Sequence, residues 1–219
     1  MTVNDRAAGA PDVAVTAIGE WLEALGSRAP APGGGAAAAM CAAVAAAVVE
    51  MVCNLTIGKP AFAGDEQHVT SVRDQAAKLR AEALGLMGED AAAFSGLMAS
   101  YRLPRDTEEQ KAARGSRIQA ATLLAASVPL RTAAAAAEVA RLAGQLPGRS
   151  NPGVLSDVAV AAAVAAAAIE AAAVNIEINL AALKPREAGA QIARQLDGHL
   201  AAAAGSHALA ERLRREISK

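Results

Sequence analysis

One stretch near the N-terminus constrains the fold of this chain more than any other. It begins Pro30-Ala31-Pro32-Gly33-Gly34-Gly35, with no side chain larger than a proline ring, and continues from Ala36 to Lys59 with little besides Ala, Val, Met and Cys. Glycine adopts backbone angles closed to other residues and lets a ligand or another segment come very near. Because alanine is the best helix former, the stretch predicts a tight turn that opens a helix with closely packed neighbours.

The glycine turn is also a candidate binding site. The first N–H groups of a helix lack partners within the helix, and together with the helix dipole they favour an anionic or carbonyl-bearing ligand. The segment lacks the Gly-Lys-Ser/Thr ending of phosphate loops, and no strand pattern precedes it, so neither nucleotide-binding motif applies. A purely structural turn that serves close packing is the other interpretation.

The composition predicts an all-α fold. More than a quarter of the 219 residues are alanine and 53% are hydrophobic, whereas only 2% are aromatic, and strand-favouring residues are scarce apart from valine. We expect one helical domain over residues 12–219, after a disordered N-terminus at residues 1–11. Since alanine-rich helices bury little area each, we also expect a subunit interface, most simply that of a symmetric homodimer.

Charge and hydropathy argue against two classes of partner. The net charge is −1, no basic stripe stands out and aromatic platforms are missing, so nucleic-acid binding is not expected. The apolar runs Ala36–Cys53 and Ala159–Ile176 approach membrane-spanning length. Glu50 and Glu170 interrupt them, and since a charge within the membrane is costly, we expect no membrane association.

The cysteines and histidines indicate neither a disulfide nor a metal site. Cys41 and Cys53 lie twelve residues apart on one predicted helix, about 18 Å, whereas a disulfide needs Cα atoms within about 7 Å. Two free thiols suit a reducing compartment, so we predict a cytoplasmic protein. His68, His199 and His207 are scattered, without the spacing of a metal site.

Apolar periodicity and capping signals divide the chain into helices. Ile18, Trp21, Leu22 and Leu25 form the apolar stripe of a first helix that Thr16 caps, with Trp21 as a core anchor. The later helices are predicted over residues 36–57, 65–103, 106–146 and 156–183, with one or two more over 186–217.

The fourth predicted helix carries two further signals. Asp106, followed by Glu109 three residues later, predicts an N-terminal capping box. Pro129 lies inside the helix, where it removes a backbone hydrogen bond and either kinks the helix or divides it into two.

Polar residues interrupt the apolar fifth helix. Asn175 and Asn179 are four apart and share a face. Because buried amides cost free energy unless they are hydrogen-bonded, they either bond to neighbouring helices or backbone, or line a ligand cleft. Asp157 lies eighteen residues before Asn175, about 27 Å along the helix, so the two cannot serve one small reacting centre in the same subunit. Either the ligand is long or a dimer partner brings the two groups together.

The expected topology places these residues at two ends of the molecule. If the helices alternate in direction, the second and fifth are antiparallel. Asp157 then approaches Asn54 and Lys59, while the two asparagines approach the glycine turn. Simpler interpretations exist: Asp157 as an N-cap, Lys59 as a complement to a helix C-terminus and Asp90 on a solvated helix face.

Several segments together resemble a known family. They are Pro30–Gly35, Met51–Lys59, Glu89–Phe94, Tyr101–Pro104, Val128–Leu130, Asn151, Ser156-Asp157 and Asn175–Leu180. In this order and spacing, over residues 16–185, the chain resembles the cyclodeaminase/cyclohydrolase family of folate enzymes. That family includes the C-terminal domain of formiminotransferase-cyclodeaminase and stand-alone methenyltetrahydrofolate cyclohydrolases.

The resemblance implies an all-helical homodimer that acts on one-carbon folates. One family reaction closes 5-formiminotetrahydrofolate to 5,10-methenyltetrahydrofolate with loss of ammonia, and the other opens the methenyl form with water to 10-formyltetrahydrofolate. Both pass through a tetrahedral carbon between two nitrogens, so they need proton transfers and no metal. The substrate is thus a tetrahydrofolate derivative.

The resemblance also implies roles for individual residues. We hypothesise that Asp157 moves the protons, helped by Lys59 or by an asparagine that orients water. The predicted substrate-binding residues are Pro32, Gly33, Gly34, Gly35, Asn54, Asp90, Asn151, Asn175 and Asn179.

Two departures from the family pattern leave rival interpretations open. Ala36 stands where the family usually has serine, and Lys184-Pro185 stands where it often has an acidic residue. One rival interpretation is a divergent family member that closes another imine-type ring in secondary metabolism. The other is a non-catalytic helical partner subunit. Ala36 favours both rivals over the housekeeping enzyme.

Overall fold

The computed structural model describes residues 17–219, and within them the chain is helical without any β-strand. The all-α prediction is confirmed, whereas the predicted disordered residues 1–11 and the predicted cap Thr16 lie outside the described part. The α-helices are α1 (Ile18–Leu25), α2 (Gly34–Asn54), α3 (Glu66–Tyr101), α4 (Glu108–Ala143), α5 (Leu155–Ala182) and α6 (Ala190–Ile217). Short 3-10 turns cover Pro60–Phe62, Pro152–Val154 and Arg186–Gly189.

Helices α2 and α5 lie side by side and antiparallel, as predicted. At one end, Gly34 at the start of α2 lies against the side-chain amide of Asn175. At the other end, the backbone N–H of Asn151 donates to Thr56 Oγ1 at 3.0 Å. Helix α3 packs on α2, α6 packs on α5, and α4 contacts all four.

Alanine allows these helices to approach closely. Much of the buried surface of α2 and α5 consists of alanine side chains, and larger apolar groups from the surrounding helices complete the core. Each alanine buries little area, so stability comes from close packing along the whole length of the helices. The larger core residues include Val49, Val52, Val72, Leu142, Leu146, Ile169 and Ile176.

The predicted starts of α4 and α5 are wrong by one or two residues. Helix α4 is capped by Thr107, whose Oγ1 accepts the N–H of Gln110 at 3.2 Å. In return, the Gln110 Oε1 accepts hydrogen bonds from the backbone N–H groups of Asp106 and Thr107. The capping box therefore consists of Thr107 and Gln110 and not of the predicted Asp106 and Glu109. Helix α5 begins at Leu155, which places Asp157 in its first turn and not at the N-cap.

Helix α4 continues through Pro129 without a break. The alternative of two separate helices is therefore wrong, and the kink stays a prediction. Helix α2 also begins earlier than predicted, because Gly34 and Gly35 already belong to its first turn. The predicted left-handed glycine is confirmed at Gly58, with φ of 78°.

Helix α1 packs on the core chiefly through Trp21. Trp21 is 2% exposed and packs with Ala36, Ala39 and Val128, which confirms its role as a core anchor. The rest of the predicted stripe is only partly correct, since Ile18 is 68% exposed while Leu25 packs against the Trp21 cluster.

Of the helices in residues 17–219, three are long and apolar enough to cross a membrane by length and composition: α2, α4, and α5 with the 3-10 turn before it. Between 44% and 56% of each apolar stretch is buried against other helices. The expectation of no membrane association stays a prediction.

Candidate functional site

A cavity of about 390 Å³ lies where the start of α2 meets the end of α5. The turn before α2 forms one side of it, with the backbone of Gly33, Gly34 and Gly35 exposed to the cavity. Gly33 is the N-cap of α2, in an extended conformation. The glycine turn therefore exposes backbone groups to the cavity. Residues with larger side chains would fill this space.

Asp90 reaches the same cavity from α3 and packs directly against Gly35. A Cβ atom on Gly35 would overlap the Asp90 carboxylate, so only glycine allows the two residues to meet in this way. The Ala36 backbone N–H donates a hydrogen bond to the Asp90 side chain. The start of α2 thus holds a carboxylate from another helix.

Burial changes the acidity of this carboxylate. Loss of water around Asp90 raises the pKa of its carboxyl, and the hydrogen bond from Ala36 opposes that rise. A carboxyl with a raised pKa is a better proton acceptor near neutral pH than an exposed one. Asp90 is therefore the cavity group best suited to move a proton.

Two amides from α5 line the same cavity as Asp90. The Nδ2 of Asn175 donates to the Ala171 carbonyl at 2.9 Å, and the Nδ2 of Asn179 donates to the carbonyls of Ala125 at 3.1 Å and Asn175 at 2.7 Å. Backbone carbonyls take up both side-chain N–H groups of Asn179, so its Oδ1 is left as an acceptor for a ligand, whereas Asn175 has one N–H group held and offers its Oδ1 and its second N–H.

The rest of the wall is apolar. Phe94 and Leu97 lie one and two turns beyond Asp90 on α3, and Ile178 lines the cavity from α5. Ile178 is 70% exposed, so the cavity opens toward the solvent-facing side of α5. An apolar wall with a few convergent polar groups is typical of a small-molecule site.

The family of the chain follows from its sequence. A sequence model described as formiminotransferase-cyclodeaminase matches residues 17–198, which is most of the chain. The chain belongs to this family. The resemblance seen in the sequence motifs is confirmed.

Individual relatives differ in how much of their length corresponds to this chain. The methenyltetrahydrofolate cyclohydrolase of Methylorubrum extorquens is 40% identical over 183 residues, which are 84% of this chain and 88% of that protein. The formimidoyltransferase-cyclodeaminase of Mus musculus is 30% identical over 165 residues, 75% of this chain but only 30% of that protein. The chain thus spans less than a third of the mouse enzyme.

A solved structure shares the fold. The crystal structure of formiminotetrahydrofolate cyclodeaminase from Thermotoga maritima matches with a TM-score of 0.86 and 25% identity, over 94% of this chain and 100% of that chain. The helical arrangement described above is therefore that of the formiminotransferase-cyclodeaminase family.

The predicted site residues of this family member divide between the two ends of α2 and α5. Those brought together at the cavity are the three glycines, Asp90, Asn175 and Asn179. Pro32 is buried in the turn beside them. Asn54, Lys59 and Asp157 lie at the opposite end, because they belong to the end of α2, the turn after it and the start of α5.

Asn151 also lies at this opposite end, and its side chain is engaged in the local backbone. Its Nδ2 donates to the Leu55 carbonyl at 3.3 Å, and its Oδ1 accepts the N–H of Gly153 at 3.1 Å. Asn151 thereby joins the turn after α2 to the turn before α5. A substrate-binding role for Asn54 or Asn151 and a catalytic role for Asp157 or Lys59 stay predictions.

Sequence reasoning missed the apolar wall formed by Phe94, Leu97 and Ile178. The spacing of Phe94 and Leu97, four and seven residues after Asp90, places them on one helix face with it, and this signal was available. Ile178 had no such signal, since its place depends on how α5 packs.

In the described part of the chain, the two cysteines do not line the cavity. Cys41 and Cys53 are both free thiols, and burial raises the pKa of Cys53 to about 12. Within residues 17–219, no group of three or more His, Cys, Asp or Glu side chains is arranged to hold a metal ion.

Proposed function

We propose that this protein is a cyclohydrolase/cyclodeaminase that binds a one-carbon tetrahydrofolate in the cavity between the glycine turn and α5. The observation that carries the proposal is the half-buried Asp90 carboxylate against Gly35, in the cavity that the two asparagine amides also line. The 40% identity to a methenyltetrahydrofolate cyclohydrolase over 88% of its length favours hydrolysis of 5,10-methenyltetrahydrofolate as the reaction.

The chemistry requires at least one group that accepts and returns a proton. Water attacks the carbon between N5 and N10, and Asp90 takes a proton from that water. Asp90 then gives this proton to N5 as the carbon–N5 bond breaks. The hydroxyl of the intermediate loses its proton to solvent, which leaves 10-formyltetrahydrofolate. General acid–base catalysis of this kind contributes roughly 10²–10⁴-fold to a rate.

The cavity also provides groups to orient the substrate. The flat pterin suits the apolar wall of Phe94, Leu97 and Ile178, and its N–H groups suit the Oδ1 atoms of Asn175 and Asn179. The α2 N-terminus favours an anionic or carbonyl group of the ligand.

The cyclodeaminase reaction is the second candidate. The Thermotoga maritima relative, a formiminotetrahydrofolate cyclodeaminase, shares the fold with a TM-score of 0.86. The same proton acceptor serves both reactions, since ammonia leaves a tetrahedral carbon in one and N5 leaves it in the other.

Ala36 does not weaken the proposal. Its side chain is fully buried against Trp21 and Met87, away from the cavity lining, while its backbone N–H holds Asp90. The backbone contact is independent of the side chain at this position. The two rivals, a divergent ring-closing enzyme and a non-catalytic partner subunit, thus lose the feature that favoured them.

We further propose that the protein is a homodimer whose interface is the exposed apolar face of α2 and α5. Large apolar side chains are exposed along both helices: Val44 and Met51 on α2, Leu55 directly after its end, and Val160, Val174 and Ile178 on α5. Monomers rarely expose large apolar patches, so these side chains support an interface on this side of the molecule.

Such a dimer would also give Asp157 a role. In a two-fold dimer whose axis crosses the middle of α5, the partner's α5 runs antiparallel to the first. The Asp157 end of one copy then lies beside the Asn175 end of the other. Asp157 would act on the cavity of the partner subunit. The separation of about 27 Å between Asp157 and Asn175 of one helix would then no longer prevent both residues from serving one site.

The test uses both folates side by side. Purified protein is mixed with 5,10-methenyltetrahydrofolate, and loss of the methenyl absorbance is followed; with 5-formiminotetrahydrofolate, its appearance is followed. We expect rapid loss in the first assay. Catalysed appearance in the second assay alone would make the protein a cyclodeaminase, and no change in either assay together with no folate binding would support the rivals.

A further inference from the structure

Pro129 leaves one backbone carbonyl of α4 without its helical partner. In a regular helix the N–H of residue 129 would donate to the carbonyl of Ala125, but proline has no N–H. The proline ring also displaces the carbonyl four residues before it. Pro129 is buried and lies in the interior of a continuous helix, a position where proline is strongly disfavoured.

The orphaned carbonyl is used by a cavity residue from another helix. The Nδ2 of Asn179 donates to the Ala125 oxygen at 3.1 Å and to the Asn175 oxygen at 2.7 Å. Ala125 and Asn179 both line the cavity. With both side-chain N–H groups held, the amide plane of Asn179 is fixed, and its Oδ1 is the group that remains for a ligand.

We propose that Pro129 is a positioning residue for the cavity: it leaves the Ala125 carbonyl free, and that carbonyl orients the Asn179 amide toward the ligand. Pro129 acts through Asn179 and has no contact with substrate. The ligand part of this inference rests on the proposed folate site, whereas the Pro129–Ala125–Asn179 arrangement does not.

The main test is Pro129→Ala, which restores an N–H at position 129. The new N–H draws the Ala125 carbonyl back into the helix and competes with Asn179. We expect the melting temperature to rise, because a helix-interior proline is removed. We also expect KM for the folate to rise about three- to tenfold, which is the effect of one weakened hydrogen bond, with little change in kcat.

Two further variants isolate the mechanism. Asn179→Ala should raise KM by itself, and adding Pro129→Ala to it should have no further effect on KM, because the amide is already absent. Pro152→Ala serves as the matched control, since Pro152 opens a 3-10 turn where no N–H is needed. It should leave KM unchanged.

A second readout needs no folate. Exchange of the Asn179 side-chain amide protons, followed by NMR in the free protein, should be slow in the wild type and fast in Pro129→Ala. The exposed Asn54 gives the reference for an unprotected amide. Wild-type Asn179 protons that exchange as fast as those of Asn54, or a Pro129→Ala protein with unchanged protection and KM, would overturn the inference. A wild type without folate activity but with protected Asn179 would overturn only the folate assignment.

Discussion

At the scale of single residues, Gly35 and Asp90 form the contact on which the cavity depends. The carboxylate occupies the space that a side chain at position 35 would take, and the Ala36 N–H holds it there. A carboxylate is thereby fixed by the backbone of a different helix, which is a more rigid support than another side chain.

Replacing Gly35 by alanine should displace Asp90. The added Cβ overlaps the carboxylate, and a misplacement of about 1 Å in an active site costs on the order of 100-fold. We expect kcat/KM to fall by about that factor in the methenyl absorbance assay. The matched control is Gly88→Ala on α3, whose Cβ meets nothing within 4 Å. It should keep activity and gain about 0.5–1 kcal/mol of stability.

Replacing Asp90 by asparagine should lower the activity of the protein and raise its stability. Removal of the proton acceptor should lower kcat by about 10²–10⁴-fold, with KM much less affected. Burial raises the pKa of Asp90, so the folded protein holds this proton more tightly than the unfolded chain does. The charged form therefore destabilises the fold increasingly as pH rises from the ordinary carboxyl pKa through the raised one.

Thermal unfolding at neutral pH should therefore show a higher melting temperature for Asp90→Asn than for the wild type. The wild-type kcat should fall as pH is lowered through the raised pKa, since catalysis needs the ionised form. A variant with normal turnover, or a wild-type profile that is flat into the acid range, would contradict the role of Asp90 as the proton acceptor.

At the scale of helices, the start of α4 shows how finely local sequence decides a boundary. Thr107→Ala removes the side chain that caps the helix, which should cost about 1 kcal/mol and lower the melting temperature by about 2–4 °C. Asp106→Ala is the control, because Asp106 contributes only its backbone N–H, and should stay within about 0.5 kcal/mol.

Urea unfolding followed by fluorescence of Trp21, the single tryptophan, measures both variants. Equal destabilisation by the two substitutions would show that the Asp106 side chain also contributes to the cap, as first predicted.

The sequence predicted what depends on neighbours along the chain. Alanine content and apolar spacing act locally, so the helices and the left-handed Gly58 were correct. The predicted cap of α4 was wrong by one residue because two capping pairs fit the sequence: Asp106 with Glu109, and Thr107 with Gln110. The hydrogen bonds that Gln110 Oε1 accepts from the N–H groups of Asp106 and Thr107 decide for the second pair.

Contacts between distant segments were harder to predict. Antiparallel packing of α2 and α5 correctly brought Asn175 to the glycine turn, because that followed from direction alone. The contact of Gly35 with Asp90 and that of Asn179 with Ala125 depend on how α3 and α4 rotate about their axes. No spacing within one helix encodes that rotation.

At the scale of the whole molecule, the proposed dimer explains why acidic candidates lie at both ends of α5. Asp90 lines the cavity, while Asp157 lies in the first turn of α5 at the far end. If a second copy brings its Asp157 to the cavity, each site contains Asp90 of one subunit and Asp157 of the other. Asp90→Asn and Asp157→Asn should then both be inactive when assayed separately.

A mixing experiment tests this arrangement. The two inactive variants are unfolded together, refolded as a mixture and assayed with 5,10-methenyltetrahydrofolate. Each mixed dimer then has one site with both substitutions and one site with neither. Since about half of the dimers are mixed, about a quarter of the wild-type activity should return. If both carboxylates of a site come from the same subunit, no mixed dimer contains an intact site and the mixture stays inactive.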